Sequence, residues 1–352
     1  MSALYVISLQ PYSGKTAVCL GIGLELKAQG VSVGYMKPIG TLATEVGGQV
    51  TDEDVVFVLR TLDIDEPFNL ACPLLKTTGL FEAQVPGATS NADIVRAAFD
   101  RLAKDVDLMI LEGGADLADG YSLGVPQTLL AELTQSRVIV VVKYQPDLAM
   151  DEILMAKDAF GERMVGVIVN SVPQDALSVV KERFPSFLNR SGLQLIGVLP
   201  LDRLLTAIPV RELARLLNGD ILCAADKQDE LVENFSIGAM NVDTALKYFL
   251  RSANKAVITG GDRADIQLAA LQTSTKCIIL TGNLYPDAII LGRATELGVP
   301  MILVKADTMT TVASVERALG HIRLTSPRQI NRLVEMVKAD VNICDLRRIL
   351  EL

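Results

Sequence analysis

Short apolar runs alternate with amphipathic stretches along most of the chain. Residues 3–7, 107–112 and 137–142 are rich in Val, Ile and Leu, a pattern typical of strands that are buried on both faces of a parallel sheet. The stretches between these runs have apolar residues at helical spacing. Strands that alternate with helices predict right-handed βαβ units, and therefore an α/β fold with a parallel sheet between helices over residues 1–206.

A second domain is predicted where this pattern changes. Beyond residue 206 the elements become shorter, and a strand at 256–259 ends in Gly-Gly-Asp-Arg, residues 260–263. We predict a smaller α/β domain over residues 207–324, followed by a helical tail over 325–352. The apolar face of the tail has to dock on its own domain or on another subunit.

The turn at 260–263 has two interpretations. In the structural one it is a tight turn, with Asp262 capping the next helix and Arg263 at the surface. In the functional one it is an anion site at the start of that helix. We favour the structural interpretation.

Composition narrows the classes of function. The net charge of −9 and the pI of about 4.9, without a basic tract, argue against nucleic acid as a partner. No apolar stretch approaches the ~18 residues of a membrane span, and no secretory signal precedes the first strand. The single histidine, His321, lies in a predicted late strand and is interpreted as structural. We expect a cytoplasmic protein with five reduced cysteines, namely Cys19, Cys72, Cys223, Cys277 and Cys344.

The segment after the first strand carries the clearest chemistry. Residues 8–16 have the sequence Ser-Leu-Gln-Pro-Tyr-Ser-Gly-Lys-Thr, and a helical run over 16–29 follows. A strand, a loop that ends in Gly-Lys-Thr and a helix together predict a phosphate-binding loop, or P-loop. The first turn of the helix would offer N–H groups to a phosphate, Lys15 would reach the β- and γ-phosphates, and the hydroxyl of Thr16 would bind Mg²⁺.

The match to the P-loop pattern is imperfect. The glycine expected five positions before Gly14 is replaced by Leu9, and Ser8 precedes it. Pro11 removes one backbone N–H from the loop. The alternative is a strand–turn–helix that contains Gly-Lys-Thr without binding a nucleotide.

Polar residues also follow other strands of the predicted sheet. Lys37 and Thr41 lie at the end of the second strand, and Glu112 ends a buried strand before two glycines. The carboxyl ends of parallel strands are where ligands bind in such sheets. Glu112 is therefore a candidate to bind Mg²⁺ or to orient water. Asp54 is either a residue of a helix N-terminus or a third member of the magnesium site.

With these residues in place, residues 3–202 resemble dethiobiotin synthetase and its amidotransferase-like relatives. The resemblance rests on Ser13-Gly14-Lys15-Thr16, Lys37-Pro38-Ile39-Gly40-Thr41, Asp52 and Asp54, Glu112-Gly113-Gly114, Asn170, and Gly197-Val198-Leu199-Pro200.

The resemblance implies a role for each matched residue. It implies ATP binding by Ser13, Gly14, Lys15, Thr16 and Ala17, with Asn170 at the base. It implies Mg²⁺ binding by Thr16, Asp54 and Glu112, and catalytic roles for Lys15, Lys37, Thr41 and Glu112, with Lys37 and Thr41 holding a carboxylate or a transferred phosphate.

Two departures separate this sequence from dethiobiotin synthetase. Ser8 stands where that family has a glycine, and residues 76–79, Lys-Thr-Thr-Gly, replace the segment that helps to bind its diamine substrate. The nucleotide half of the site is kept better than the substrate half.

Residues 207–320 resemble a DRTGG domain. The resemblance rests on Val210-Arg211-Glu212-Leu213, Ile237-Gly238-Ala239-Met240, the turn at 260–263, Leu280-Thr281-Gly282-Asn283 and Ala306-Asp307-Thr308. The two domains in this order resemble the N-terminal part of long phosphotransacetylases, which is thought to be regulatory and oligomer-forming. We expect a chain without the acetyltransferase domain that follows there.

Three hypotheses follow for the function. The first is a cytoplasmic regulatory protein whose P-loop domain binds ATP and Mg²⁺ and senses the nucleotide. Its DRTGG domain would mediate homo-oligomer formation or transmit the nucleotide state to a protein partner. The second is an ATP-dependent ligase or carboxylase of dethiobiotin synthetase or cobyrinate amidotransferase type, acting on a small carboxylate or amine. The third is a structural protein with a vestigial loop. The sequence leaves the choice between ATP and GTP open.

Overall fold

The computed structural model describes residues 1–76, 90–147, 149–320, 324 and 326–352. These residues form two compact units. The first contains residues 1–201 and 331–352, and the second contains residues 202–330. His321, the strand predicted around it and residues 77–79 lie outside the described residues.

A six-stranded parallel sheet forms the centre of the first unit, as the apolar runs predict. Its strands lie in the order Gln194–Pro200, Met164–Val172, Arg137–Lys143, Ser2–Ser8, Leu108–Glu112 and Val33–Met36. The chain passes from one side of Ser2–Ser8 to the other between Leu108–Glu112 and Arg137–Lys143. Such a topological switch opens a crevice at the carboxyl ends of the strands, where ligands bind.

Helices accompany this sheet, most of them in stretches whose apolar residues have helical spacing, whereas the short helix Phe68–Ala71 lies in a segment that was predicted to be a loop. They are Lys15–Ala28, Glu53–Leu62, Phe68–Ala71, Asn91–Leu102, Gln127–Leu133, Met150–Phe160, Leu177–Arg190 and Ile343–Leu350, with 3₁₀ turns at Tyr121–Leu123 and Gly161–Arg163. One hairpin, Ala43–Val46 with Gln49–Asp52, lies between Val33–Met36 and Glu53–Leu62 in the chain. Gly47 and Gly48 both have positive φ, which is the backbone that a two-residue hairpin turn requires. A further short pair joins Ile39–Gly40 to Leu74–Leu75.

The tail consists of two helices, Pro327–Asp340 and Ile343–Leu350, where one helical segment was predicted. A Cβ atom added to Gly21 would lie 2.5 Å from Val337 Cγ2, so the first helix of the chain and the tail pack closely. The N–H of Asn342 donates to the carbonyl of Ile196 at 2.8 Å. The apolar face of the tail therefore docks on the unit that contains the phosphate-loop segment.

The second unit contains a five-stranded sheet in the order Asp220–Ile221, Met301–Leu303, Thr275–Thr281, Lys255–Gly260 and Asn234–Ile237. All neighbours are parallel except Asp220–Ile221, which is antiparallel to Met301–Leu303. Its helices are Val210–Leu216, Val242–Phe249, Ala264–Leu271, Ala288–Leu297 and Thr308–Gly320, with a 3₁₀ turn at Ala225–Lys227 and a short pair, Ile208–Pro209 with Leu231–Val232. The strand Asn234–Ile237 was not predicted.

The turn at 260–263 is fixed by close backbone packing. A Cβ atom on Gly261 would lie 1.6 Å from the carbonyl oxygen of Leu284, so only glycine fits. The prediction that Asp262 caps the next helix is wrong: Arg263 is the N-cap of Ala264–Leu271, and no side chain caps it. The Arg263 guanidinium donates instead to the carboxylate of Asp265 and the carbonyl of Met240.

Among the helices of the described segments, none is both long and apolar enough to cross a lipid bilayer.

Candidate functional site

The candidate site begins where the strand Ser2–Ser8 turns into the helix Lys15–Ala28. Gly14, the residue before the helix, has φ +91°, and a Cβ atom there would lie 2.2 Å from Asn170 Nδ2. Both facts require glycine. No side chain caps this helix end, so its first N–H groups are available to an anion, and the helix dipole favours negative charge there.

Ser13 adds a second donor to the loop. Its side chain is 1% exposed, and its hydroxyl has no hydrogen-bond partner among the described residues. A buried hydroxyl without a partner is rare in folded proteins and indicates a position where a bound group completes the hydrogen bonding. Together with the helix terminus, it makes the loop suitable for phosphate.

Lys15 is held over the loop by Ser8. The ammonium of Lys15 donates to the hydroxyl of Ser8 at 2.8 Å, and Ser8 is fully buried. That hydroxyl in turn has two possible acceptors, the carbonyls of Gln10 and Ala115, both at 2.9 Å. Burial lowers the pKa of Lys15, although the carboxylate of Glu112 opposes this effect. The serine that replaces the family's glycine is thus the partner of the lysine.

Glu112 connects the loop to the neighbouring strands. One carboxylate oxygen accepts from the hydroxyl of Thr16 at 2.6 Å, and the other accepts from the phenol of Tyr35 at 2.7 Å. Burial raises the pKa of Glu112, while the charge of Lys37 counteracts it. Thr16 and Glu112, two of the three residues predicted to bind magnesium, are therefore in direct contact.

Lys37 lies in a buried cluster of charges. Its ammonium contacts Asp52 at 2.9 Å and Asp54 at 2.6 Å. Burial alone would lower the pKa of Lys37, but the carboxylates of Glu112, Asp54 and Asp52 outweigh it, and that pKa is raised. Burial alone would raise the pKa of Asp52, but the ion pair with Lys37 outweighs burial, so the pKa of this carboxyl is lowered. Lys37 is thus a fixed positive charge beside Glu112.

Three other predicted residues lie at this edge of the sheet. The backbone N–H of Thr41 donates to Asp52 at 2.8 Å, and its side chain is exposed. Ala17 is half-buried in the first turn of the helix. The amide of Asn170 donates to the carbonyl of Ser13 at 2.8 Å and accepts from the N–H of Ser171. Asn170 therefore supports the loop, and its contact with a base stays a prediction.

Metal binding by these residues also stays a prediction. Within the segments that the structure describes, no three His, Cys, Asp or Glu side chains form a ready metal-binding group. Asp54 is close enough for its charge to raise the pKa of Glu112. The three residues predicted for Mg²⁺, Thr16, Asp54 and Glu112, thus belong to one cluster, together with Lys37, whose ammonium contacts Asp54 and whose charge acts on Glu112.

Ser8 and Tyr35 were not predicted to be parts of the site. A signal existed for Tyr35, because residues two apart on a strand face the same side, and Lys37 follows it by two. Asp119 was also missed: it accepts from the N–H of Ala115 at 2.6 Å and pairs with Lys76 at 3.1 Å. Its neighbours in sequence form no pattern that would reveal this role.

An uncapped helix terminus behind a strand, a lysine above it and a Thr–Glu pair beside it define a P-loop nucleotide-binding domain. The chain belongs to the AAA domain family, whose model matches residues 2–209. A DRTGG domain matches residues 212–318. The two resemblances inferred from the sequence are thereby confirmed.

Known relatives match either nearly the whole chain or the part that contains the first unit. A phosphate acetyltransferase of Synechocystis is 26% identical over 97% of this chain and 50% of its own length. The chain spans about half the length of the phosphate acetyltransferases that it matches. An ATP-dependent dethiobiotin synthetase of Methanococcus vannielii is 26% identical over 55% of this chain and 92% of its own length.

Solved structures also resemble parts of the chain, and one of them contains a DRTGG domain. The CBS and DRTGG regulatory region of Clostridium perfringens pyrophosphatase, in complex with diadenosine tetraphosphate, covers 44% of this chain and 76% of its own, at 14% identity and a TM-score of 0.30. A likeness at that score supports no conclusion about what this chain binds.

Proposed function

We propose that the first unit binds ATP with Mg²⁺ and that the chain is a regulatory protein whose DRTGG unit passes the nucleotide state on to a partner or to another copy of itself. The observation that carries the proposal is the convergence of Lys15, Thr16 and Glu112 at the uncapped start of Lys15–Ala28, with the hydroxyl of Thr16 2.6 Å from Glu112.

Each residue has a task that fits its surroundings. The first N–H groups of the helix and the unpartnered hydroxyl of Ser13 donate to phosphate oxygens. Lys15, already held over the loop by Ser8, supplies a positive charge for the β- and γ-phosphates. Thr16 and Glu112, with Asp54 nearby, offer oxygen ligands to Mg²⁺, which would neutralise phosphate charge.

The regulatory role is supported by how the chain differs from its relatives. Its segment 76–79, Lys-Thr-Thr-Gly, departs from the segment that helps dethiobiotin synthetase to bind its diamine substrate. All five cysteines are free thiols, which fits the reducing cytoplasm that we propose as its location.

As part of the same proposal, the protein forms homo-oligomers. Light scattering at several concentrations tests this, and a monomer throughout would contradict it.

Nucleotide binding is tested by calorimetry with ATP, ADP and GTP in the presence of Mg²⁺. We expect micromolar binding of ATP by the wild type and its loss in Lys15→Ala, because this variant removes the charge above the loop. Lys104→Ala, at an exposed position, is the matched control and should bind like the wild type. Equal binding by Lys15→Ala and the wild type would contradict the proposal, as would no binding by either.

A second candidate function is favoured by the buried charges around Lys37. The Lys37 ammonium is kept charged by Asp52 and Asp54. A fixed positive charge at this position could stabilise an acyl-phosphate or carbamate intermediate, a role that a protein that only binds nucleotide would not need. The candidate is an ATP-dependent ligase or carboxylase that acts on a small carboxylate or amine. Phosphate release that requires both ATP and a metabolite from a panel of such compounds, and that is lost in Lys37→Met, would favour it. Release that ignores every metabolite would count against it.

A further inference from the structure

We infer that Tyr35 is a positioning residue for Glu112, fixing the carboxylate that we propose to face the metal. The inference rests on the proposed function, because it assigns Tyr35 a part in the same magnesium site. Nothing in the sequence resemblance assigns a role to this tyrosine.

Strand pairing explains how Tyr35 reaches Glu112. The strand Val33–Met36 lies beside Leu108–Glu112, with Tyr35 opposite Ile110. The phenol therefore extends along the neighbouring strand toward its carboxyl end, where Glu112 lies two residues beyond Ile110. Tyr35 is 1% exposed, so packing restricts its ring to one position, and its hydroxyl meets Glu112 Oε2 at 2.7 Å.

The two oxygens of Glu112 have different partners, and this difference gives the carboxylate one orientation. The phenol of Tyr35, which comes from the sheet, donates to Oε2, while the hydroxyl of Thr16, which comes from the loop, donates to Oε1. Because Thr16 belongs to the phosphate loop, Oε1 is the oxygen that faces a bound nucleotide. With the phenol in place, the carboxylate cannot turn away when the Thr16 hydroxyl rotates to offer its lone pairs to a cation. Outer hydrogen bonds of this kind typically strengthen metal affinity by about 10- to 100-fold.

Tyr35→Phe removes the hydroxyl and keeps the ring. Using Mn²⁺ as a paramagnetic substitute for Mg²⁺, we would measure its Kd by electron paramagnetic resonance, on the full chain, with and without ATP. We expect the Kd for Mn²⁺ to rise about tenfold or more, while the Kd for ATP in EDTA stays within about twofold of the wild type. Tyr144→Phe, at a tyrosine of the first unit that is only half-buried, should leave both constants unchanged.

A double-mutant cycle separates positioning from general packing. If Tyr35 acts through Glu112, then Tyr35→Phe should weaken Mn²⁺ binding in the wild type but have no further effect in Glu112→Gln. Circular dichroism of each variant checks folding. Equal effects of Tyr35→Phe in both backgrounds, or an unchanged Kd for Mn²⁺ in the single variant, would overturn the inference.

The outcomes for Tyr35 and for the proposed function can be told apart. A wild type that binds ATP equally well with and without metal overturns the role of Tyr35 and leaves nucleotide binding standing. A wild type that binds no nucleotide overturns the proposed function, and the measurement with Mn²⁺ alone then decides the role of Tyr35 by the same comparison of variants.

Discussion

Replacing Asp52 with asparagine should destabilise the first unit more than any single change at the surface. The carboxylate is fully buried, and each oxygen accepts two hydrogen bonds: Oδ1 from Lys37 and the N–H of Asp54, Oδ2 from the N–H groups of Thr41 and Leu42, all at 2.8–2.9 Å. In Asp52→Asn, the amide NH₂ group takes the place of one of these oxygens. At either position, the two groups that donated to that oxygen then face another donor and lose their hydrogen bonds.

The magnitude follows from the partners that remain. Breaking a buried ion pair by removing one partner costs about 3–5 kcal/mol. Lys37 keeps Asp54 at 2.6 Å, so we expect the lower end, about 3 kcal/mol of unfolding free energy. Urea unfolding followed by circular dichroism at pH 7 measures it. The matched control is Asp65→Asn, at an exposed carboxylate, and its effect should stay within about 0.5 kcal/mol.

The pH dependence gives a second test of Asp52. The pKa of Asp52 is lowered in the folded state, so the unfolded state takes up its proton first as the pH falls. The stabilisation is therefore complete above the ordinary pKa of about 3.9 and is lost as the pH falls below it. The difference between the wild type and Asp52→Asn should shrink in that range. A difference below about 1 kcal/mol at pH 7, or one that grows in acid, would refute the reasoning.

Three further predictions concern other positions. Ser8→Ala should weaken ATP binding about three- to tenfold in calorimetry, because Lys15 loses its partner; an unchanged Kd would show that Ser8 is dispensable. Gly261→Ala should lower the melting temperature, because the added methyl group would clash with Leu284. Gly292→Ala, in open space on a helix, should instead raise the free energy of unfolding by about 0.5–1 kcal/mol. A Gly261→Ala variant that is more stable than Gly292→Ala would contradict the packing described for Gly261. Burial lowers the pKa of Lys255 to about 8. Between pH 8 and pH ~10 the unfolded state therefore holds a proton that the folded state has lost, and the free energy of unfolding should rise with pH. Urea unfolding should show this rise in the wild type and not in Lys255→Met.

Local patterns in the sequence predicted the parts of the site that lie at element ends. Lys15 and Thr16 follow a strand and open a helix, and Glu112 ends a buried strand, so their meeting at one edge follows from parallel strand geometry. The central sheet was predictable for the same reason, because strands buried on both faces are apolar throughout.

Contacts that depend on tertiary packing were not predictable. Nothing near Ser8 in the sequence indicates that its hydroxyl receives the ammonium of Lys15, since the bond depends on how the loop folds back. Asp52 is also the side-chain N-cap of the helix Glu53–Leu62, accepting from the N–H of Asp54. Its sequence context suggests that capping role alone, whereas its bond to Lys37 depends on a distant strand end.

The return of residues 331–352 to the first unit constrains how the chain can be made and divided. The second unit is an insertion between residues 201 and 331 of the first, so a ribosome completes the insertion before it supplies the last piece of the unit that starts the chain. Until then, Gly21 and the helix surface around it lack the cover of Val337 and Leu333. A nascent chain of about 200 residues is therefore a natural client for chaperones, and proteolytic fragments cut near residue 201 should be poorly soluble unless the tail peptide is supplied in trans.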